Sequence, residues 1–479
     1  MVLRPCQKRG ARLHSARPVT RSTLPSWLGH LSPGGWLILL LALVSTGLVL
    51  SRDETEDRGM PFWIFSRHHH VTYKPIVERW NTQHPDRPVD MYLLQTLALE
   101  RRMLSGFMSG TPVADLIEAE RLMASRSFTG PVDKVGFFDV TDRLRDEGLL
   151  DIINEPSFAP WTTRGRIFGI PHDVHPVLLA YRADLVEAEG IDVSQIETWE
   201  DFFRVMRPLM RDANGDGRPD RYLLSGWSST QHFVEMMILQ ADGLLFDEHD
   251  RPTLNHPRNA FVLATLATWF TGPNRMCTEV GELTAAGHSA RLAGVVVATP
   301  IPDWMAGAWK QDVPGLAGKL KLMPLPAWER GGRRTSVWGG TMLGVAKTAR
   351  DPEAAWAFAK ELYLSPELAD ELFAGVSILT PVKKHWDRPI FHRPDPYFSG
   401  QPLGTLLIEQ APHVPRRSSS PFGAFAIERL TGVATSLHAY ADRERKYTVD
   451  ELLPEARRLL DLAQRDIEAR VARNPFLAQ

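Results

Sequence analysis

The segment PFWIFSRHHHVTYKPIVERW, residues 61–80, carries the signal that decides the fold class of this chain. Its first five residues, PFWIF, are a continuous apolar run, as expected for a short strand that is covered on both faces. The second part repeats apolar residues at the spacing i, i+3, i+4 and i+7, which is the spacing of one helix face. These residues are Tyr73, Ile76, Val77 and Trp80. The segment therefore predicts a strand followed by an amphipathic helix.

The alternation of strand and helix continues beyond this segment. HPDRP breaks the helix, VDMYLL at 89–94 predicts a second strand, LALERRML at 97–104 a second helix, and ADLIEA at 114–119 a third strand. A βαβαβ unit of this kind begins a doubly wound parallel sheet. Thr198 and Thr448 each precede an acidic residue by three positions, which predicts two further helix starts. The sequence thus predicts an α/β protein.

Composition places the chain among ordinary globular proteins and excludes one class of partner. The chain has 479 residues, of which 43% are hydrophobic and 23% are charged, so it is long enough for two domains. Its formal net charge is -2, and no long basic run follows the N-terminal region. Since no positive field would attract nucleic acid, we expect no nucleic-acid partner.

Residues 1–51 predict a targeting segment. Residues 1–34 are basic and contain no acidic residue, and the apolar run at 35–51 is followed by RDETED. This order predicts a cytoplasmic N-terminus and a body in the periplasm or at the cell exterior. The run predicts either a retained single-pass anchor in the cytoplasmic membrane or a cleaved signal peptide. Cys6 and Cys277 would then lie on opposite sides of the membrane, so no disulfide is expected.

Short catalytic and phosphate-binding motifs are missing from the sequence, which contains no G-x-S-x-G, H-E-x-x-H or G-x-G-x-x-G pattern. Histidines 68, 69, 70, 172 and 175 could supply metal ligands or could simply lie in loops at strand ends. Tryptophans in loop-like segments can cover the apolar face of a flat ligand while polar groups meet its hydroxyls. The tryptophans in such segments are Trp227, Trp304 and Trp338.

The stretch GRIFGIPHDVHPVLLAYRADLVEAEGID at 165–192, followed by ETWEDF at 197–202, strongly resembles the family 1 extracellular solute-binding proteins. This is the maltose-binding-protein class, which serves ABC importers. Further pieces match the family in the same order along the chain: SARLAGVVVATPIPDW, LKLMPLPAW, SVWGGTMLGVAKTARDPEAAWAFAKEL and ILTPVKKHW. The resemblance covers essentially all of residues 60–470, and its specificity lies in the joint order and spacing of the pieces.

The resemblance implies two α/β lobes, joined by several hinge crossings, that close over a ligand in the cleft between them. It implies an N-terminal lobe of residues 60–174 plus 341–380 and a C-terminal lobe of residues 178–337 plus 383–479. The implied crossings lie near 173–177, 337–341 and 380–383. Carried over by position, the residues expected to face the cleft are Arg67, His68, Glu118, His172, Asp173, Trp227, Asp303, Trp304, Trp338 and Gly339.

The loop RDANGDGRPDRY at 211–222 begins like an EF-hand, but the closing glutamate of such a loop is replaced by Leu223. An "NGDG" loop of this type recurs in the resembled family, where it is similar to a calcium loop in some members and is an empty turn in others. The loop is expected to be structural in both cases. Its candidate oxygen ligands are Asp212, Asn214, Asp216, the Arg218 carbonyl and Asp220.

The implied function is capture of a sugar or related small solute for the permease subunits of an ABC importer, with no required cofactor and no catalysis. Polyols, polyamines and phosphorylated alcohols are bound within the wider class. Two alternatives stay open from the sequence. One is a membrane-tethered carbohydrate hydrolase, which would need two carboxylates about 5–10 Å apart in the cleft. The other is a ligand-sensing subunit of a membrane receptor.

Overall fold

In the computed structural model, the structure is described for residues 32–50, 59–212, 215, 219–226 and 231–474, with the side chains of residues 48–50 and 231 left aside. The chain divides into two units, residues 1–58 and residues 59–479.

The first unit contains one described helix, α1 (Pro33–Leu50). No helix within the described ranges has both the length and the apolar character that a membrane crossing requires. The expected transmembrane anchor at 35–51 therefore finds no support in the structure. Residues 1–31, where the basic segment was expected, lie outside the described residues.

The second unit is built from strands and helices in alternation. Its strands are β1 (Met60–Ile64), β2 (Val89–Leu93), β3 (Leu116–Glu120), β4 (Thr162–Thr163), β5 (Arg166–Ile167), β6 (Ile170–Pro171), β7 (Val177–Arg182), β8 (Tyr222–Ser225), β9 (Cys277–Thr278), β10 (Val296–Pro302), β11 (Leu320–Pro324) and β12 (Thr341–Val345). Its α-helices are α2 (Arg67–Gln83), α3 (Thr96–Ser109), α4 (Arg121–Arg126), α5 (Thr141–Asp146), α6 (Leu149–Ile152), α7 (Ala183–Ala188), α8 (Trp199–Met206), α9 (Gln231–Gln240), α10 (Pro257–Phe270), α11 (Ala285–Leu292), α12 (Asp303–Asp312), α13 (Pro352–Tyr363), α14 (Pro366–Val376), α15 (Leu403–Gln410), α16 (Gly423–Glu444) and α17 (Val449–Val471).

The first five-stranded sheet has the order β2-β1-β3-β12-β6. Strands β1, β2 and β3 pair in parallel, as the βαβαβ pattern predicts. Strand β12 pairs antiparallel to both β3 and β6, so the complete sheet is mixed and is parallel only over the predicted βαβαβ unit. The reason is connectivity, because β12 follows β11 of the second sheet along the chain and joins the first sheet between β3 and β6.

The second sheet has the order β11-β7-β10-β8-β9. Strand β7 runs antiparallel to both of its neighbours, β10 and β11, whereas β8 is parallel to β10 and to β9. All six residues of β7 and all seven of β10 are buried, as expected for strands covered on both faces.

Two segments carry the chain between the sheets. The first connection, residues 172–176, joins β6 to β7, and the second connection, residues 325–340, joins β11 to β12. The chain then returns near residues 377–382, where Ile378 packs in the core of the first sheet and Leu379 packs in the core of the second. The two connections and the returning segment thus lie side by side between the two sheets. The lobe boundaries given by the sequence stay predictions.

The predicted helix starts follow their capping residues. Thr198 accepts a hydrogen bond from the Asp201 amide and begins α8, and Thr448 caps α17 in the same way through Glu451. Ser66 caps α2, so this helix begins at Arg67, six residues before the apolar face that the sequence shows. The histidine run therefore lies in the first turn of a helix.

Candidate functional site

A cavity of about 750 Å³ opens between the two sheets. The residues after β1, the last residue of β3, the two connections and the first turn of α12 contribute to its wall. These elements meet there because the ends of β1, β3 and β10 face the same gap between the sheets. The lining residues are Phe65, Ser66, His68, His69, Glu120, Leu122, His175, His232, Glu282, Leu283, Thr284, Trp304, Met305, Ala308, Gln311, Asp312, Trp338, Gly339, Gly340, Thr341, Val376 and Ile378.

The residues expected to face the cleft fall into four groups. His68, Trp304, Trp338 and Gly339 line the cavity. Glu118, His172, Asp173 and Asp303 are buried and do not line the cavity, so their contact with a ligand stays a prediction. Arg67 is exposed on the first turn of α2 and is not part of the wall. Trp227 lies outside the described residues.

Two tryptophans contribute aromatic rings to the wall, in addition to Phe65. The rings of Trp304 and Trp338 lie 6.5 Å apart at an interplanar angle of 81°. The Trp304 indole N–H donates to the backbone carbonyl of Trp338 at 2.8 Å, so the donor of Trp304 is already used within the protein. The aromatic pair is therefore held in a fixed orientation, and Trp304 stays partly exposed to the cavity.

Glu118 belongs to a buried polar cluster behind the wall. It has no exposed surface, and its Oε2 accepts from the Tyr73 hydroxyl at 2.8 Å and lies 3.0 Å from His69 Nδ1. Burial alone would raise the pKa of Glu118, but the nearby His69 and His172 outweigh it and lower the pKa. Burial, with the charge of Glu118, raises the pKa of Tyr73 well above its usual range. This carboxylate is thus committed to its protein partners.

His172 joins this cluster to the first connection. Its ring lies 4.4 Å from the His69 ring, and its Nδ1 lies 3.1 Å from Asp173 Oδ2. Burial, together with the neighbouring His69, lowers the pKa of His172. We therefore assign the neutral ring, with the Nδ1 proton donated to Asp173.

His175 forms the centre of a second cluster, in which it lies between two carboxylates. Its Nε2 is 3.0 Å from Asp173 Oδ2 and its Nδ1 is 2.6 Å from Asp303 Oδ1. Burial alone would lower the pKa of His175, but the two carboxylates outweigh it and raise the pKa to about 10. Likewise, burial would raise the pKa of Asp173, but His175 and His172 hold it far below its usual range. The cluster therefore contains an imidazolium shared by two carboxylates.

A third polar cluster lies beside the second connection. Arg121 Nη2 donates to Glu235 Oε2 at 2.8 Å, and both side chains are buried. Arg417 donates to the Gly339 carbonyl, and the Arg121 amide donates to the Gly340 carbonyl at 3.0 Å. Burial, reinforced by the charge of Arg121, lowers the pKa of Arg417 to about 9. The glycine pair of the second connection is thus held by two arginines.

The charged residues of the cavity wall are acidic or histidine. The acidic ones are Glu120, Glu282 and Asp312, and the described wall contains neither lysine nor arginine. Glu120 already accepts a hydrogen bond from the Leu122 amide at 2.7 Å. With apolar and aromatic side chains around them, these groups suit a ligand that offers hydroxyl donors and flat apolar faces.

Over the described part of the chain, no three His, Cys, Asp or Glu side chains are grouped so that they could hold a metal ion. The histidines of the two clusters are instead engaged by carboxylates. In the EF-hand-like loop, Asp212 Oδ1 accepts from the Gly215 amide at 2.7 Å, and Asp220 is also described. Asn214, Asp216 and Arg218 lie outside the described residues, so structural calcium stays a prediction.

Several wall residues were not among those predicted. The sequence indicated His69 and His175 only as metal-ligand candidates, although the HHH and HDVH runs mark the two segments that meet behind the wall. His232, Glu282 and Asp312 come from helices and loops of the second sheet and carry no local signal. Their proximity depends on the tertiary arrangement of α9, α11 and α12.

Comparison with known proteins agrees with this geometry. The chain is 24% identical over 427 residues to an arabinooligosaccharide-binding protein of Halalkalibacterium halodurans, covering 86% of this chain and 91% of the relative. Among solved structures, the sugar-binding protein MalE of Xanthomonas citri is similar, with a TM-score of 0.67 and 17% identity over 86% of this chain and 99% of MalE.

A second similar structure is an ABC transporter associated binding protein from B. animalis subsp. lactis Bl-04 in complex with β-1,6-galactobiose. It has a TM-score of 0.61 and 17% identity, over 88% of this chain and 99% of that protein. These likenesses confirm the two-lobed α/β fold that the sequence resemblance implied. The family model for the bacterial extracellular solute-binding proteins matches residues 68–367, more than half of the 479 residues. The chain therefore belongs to the bacterial extracellular solute-binding protein family.

Proposed function

We propose that this protein binds an oligosaccharide outside the cytoplasm and presents it to the permease of an ABC importer. The observation that carries the proposal is the cavity of about 750 Å³ between the two sheets, with Trp304 and Trp338 in its wall. Small-molecule sites commonly have volumes of about 300–1,000 Å³, so this cavity is large enough for more than a minimal ligand.

The wall chemistry supports a carbohydrate. Sugar rings present apolar C–H faces and a rim of hydroxyls, which match indole faces and hydrogen-bonding side chains respectively. The wall offers both, since Trp304 and Trp338 accompany polar groups such as Gln311, Thr284 and Glu282. Sites of this composition reach micromolar affinity, about -8 kcal/mol.

The relatives support the oligosaccharide and the transport role. The arabinooligosaccharide-binding protein covers almost the same length as this chain, and the structure with β-1,6-galactobiose is of an ABC transporter associated protein. We therefore take an arabino-oligosaccharide as the first candidate ligand.

The state of the buried carboxylates favours binding over hydrolysis. A glycosidase needs one carboxyl group to act as an acid and a second one, about 5–10 Å away, to act as a nucleophile or base. Glu118 has no exposed surface, and Asp173 and Asp303 are held by His175, so these three carboxylates are not presented to a ligand. Hydrolysis would have to use the acidic residues of the wall itself.

Calorimetry of the full chain against a panel of sugars tests the proposal. The panel contains arabino-oligosaccharides, β-1,6-galactobiose, maltose, polyols and a polyamine, and the same samples are analysed by chromatography after incubation. We expect micromolar binding of at least one oligosaccharide and no change in its length. Steady release of smaller sugars would instead establish the hydrolase, and no binding across the panel would contradict the proposed function.

Trp304→Ala should weaken this binding by about 2 kcal/mol, roughly 30-fold, because an indole surface next to the ligand is lost. Trp328→Ala is the matched control. Trp328 is also half-buried, but it stacks on Trp269 and does not line the cavity. Equal loss of affinity in both variants would show that the effect comes from the fold and not from contact with the ligand.

A further inference from the structure

His175 connects the three segments that lie between the two sheets. It belongs to the first connection, together with its partner Asp173. Its second partner, Asp303, uses Oδ2 to accept a hydrogen bond from the Leu379 amide at 2.8 Å, in the segment that returns to the second core. Asp173 Oδ1 lies 3.4 Å from the Thr341 amide, at the end of the second connection. A single imidazole thus links the three segments between the sheets through its two carboxylate partners.

The same histidine is in direct contact with the backbone that carries the tryptophan pair. The carbonyl of His175 accepts a hydrogen bond from the Trp338 amide at 3.3 Å, and Asp303 Oδ1 accepts one from the Trp304 amide at 2.7 Å. A Cβ at Gly339 would lie 2.5 Å from His175 Cδ2 and 3.0 Å from Trp304 Nε1. The glycine is therefore required for the close packing of the imidazole against the wall of the cavity.

The backbone of His175 is itself in an uncommon conformation. Its φ is 58°, in the left-handed region that costs a non-glycine residue free energy. The surrounding hydrogen bonds hold the residue there. Such a conformation is retained where the neighbouring structure fixes a side chain in a particular position, which here is the point between Asp173 and Asp303.

We infer that His175, as an imidazolium shared by Asp173 and Asp303, is a positioning residue for ligand capture: it orients the Trp304–Trp338 wall relative to the hinge, and affinity depends on its charge. This inference rests on the proposed function and deepens it. The residue acts through the tryptophans and the connections, so it need not contact the ligand.

The charged groups around His175 decide the direction of the pH effect. The carboxylates that face His175 are Asp173 and Asp303. Asp173 in turn interacts electrostatically with His172 and Arg417. Because the carboxylates raise the pKa of His175 to about 10, the imidazolium is present at neutral pH. The contribution of this pKa shift to folding stability is fully present below the unfolded pKa of about 6.5 and is lost as the pH rises through the folded value. Affinity depends instead on the charge of His175 in the folded protein, so it should be flat at neutral pH and fall as the pH approaches the folded pKa.

The test measures the affinity of the full chain for an arabino-oligosaccharide by calorimetry between pH 6 and pH 9. Wild-type affinity should be constant over this range. Asp173→Asn removes one of the two carboxylates, and one opposite charge shifts a pKa by about 1–3 units. The affinity of this variant should therefore begin to fall inside the range, approaching about tenfold per pH unit once His175 is mostly neutral.

His175→Gln should bind about tenfold or more weakly at every pH, with no pH dependence, since the variant has no ionisable group at this position. His249→Gln is the matched control, because His249 is exposed in a turn and does not line the cavity, and it should behave as wild type. Circular dichroism at each pH confirms that the variants are folded. Wild-type affinity in His175→Gln, or superimposable profiles for Asp173→Asn and wild type, would overturn the inference.

Proton NMR of the imidazole rings in the ligand-free full chain separates this inference from the proposed function. The His175 signal should show no titration between pH 6 and pH 8.5 in wild type and should titrate at lower pH in Asp173→Asn. A neutral His175 at pH 7 would overturn the inference even if sugars bind. If no sugar binds while His175 is charged, the proposed function is wrong and the positioning role is wrong with it. The charged cluster of His175, Asp173 and Asp303 would still be confirmed by that result.

Discussion

At the scale of single residues, several polar groups of this protein are buried behind the cavity. Glu118 is an example, since it has no exposed surface and its partners Tyr73 and His69 come from α2. A buried carboxylate of this kind is stabilising only as long as its partners are present. Removing its charge would leave the tyrosine hydroxyl and the imidazole with a poorer acceptor.

We therefore expect Glu118→Gln to lower the free energy of unfolding by about 3 kcal/mol at pH 7. The folded-state pKa of Glu118 is lowered, so its contribution is present above the unfolded pKa of about 4.3 and is lost as the pH falls through the folded value. The difference between variant and wild type should accordingly shrink below about pH 4. Urea unfolding at a series of pH values measures it.

Glu78→Gln provides the control for this prediction. Glu78 forms an exposed i, i+4 pair with Lys74 on the same helix that carries His69 and Tyr73. Surface pairs of this kind contribute little, so the control should unfold almost as wild type does. A Glu118→Gln variant as stable as the control at pH 7 would show that the buried cluster contributes no net stability.

Sequence patterns did not show the partners of Glu118 or Asp303. Glu118 lies within β3 and Asp303 directly follows β10, and position along the chain predicted contact with the ligand. The structure shows that Glu118 Oε2 accepts from Tyr73 and that the Asp303 oxygens are engaged by His175 and by the Leu379 amide. These partners are distant in sequence, so no local pattern reveals them. Trp304 and Trp338, in contrast, were predicted at the cleft and do line it.

At the scale of elements, the second connection has a constrained backbone. Gly339 and Gly340 have φ values of 119° and 132°, which L side chains rarely adopt, and Arg417 and Arg121 hold their carbonyls. This segment brings Trp338 to the wall and leads into β12. Its geometry therefore sets both the aromatic wall and the entry of the last strand into the first sheet.

Gly339→Ala should lower the free energy of unfolding by about 3 kcal/mol, since the new Cβ combines backbone strain with a clash against His175. Gly318→Ala separates these two effects. Gly318 also has a positive φ, of 71°, but nothing lies within 4 Å of its Cβ position. Thermal unfolding of both variants should show a clearly larger loss for Gly339→Ala, and equal losses would refute a packing role for this glycine.

Apolar periodicity and capping patterns predicted some of the strands and helices but not how the strands pair. The apolar period identified β1 and α2, and the capping boxes identified α8 and α17. The antiparallel entry of β12 was not visible, because strand direction depends on how the chain returns from the second sheet and not on the composition of the strand. The expected membrane-spanning helix is not supported either.

At the scale of the whole molecule, ligand capture in the cavity requires the two sheets to approach each other over the ligand. Proteins of this architecture close about hinge segments, and here three chain segments lie side by side between the sheets. We expect the radius of gyration of the full chain, measured by small-angle X-ray scattering, to decrease when an arabino-oligosaccharide is added at saturation. The Trp328→Ala variant, which is the control for Trp304→Ala, should show the same decrease in the radius of gyration. Binding with an unchanged radius would argue for a preformed, static site.

A crystal structure of the protein grown with an arabino-oligosaccharide would show directly whether the sugar binds in the cavity between the sheets. We expect sugar density within the cavity of about 750 Å³, with one ring packed against Trp304 or Trp338 and hydroxyls within hydrogen-bonding distance of the polar wall residues. His175 should stay between Asp173 and Asp303 in that structure. Sugar density at any other surface, with this cavity filled only by water, would contradict the proposed binding site.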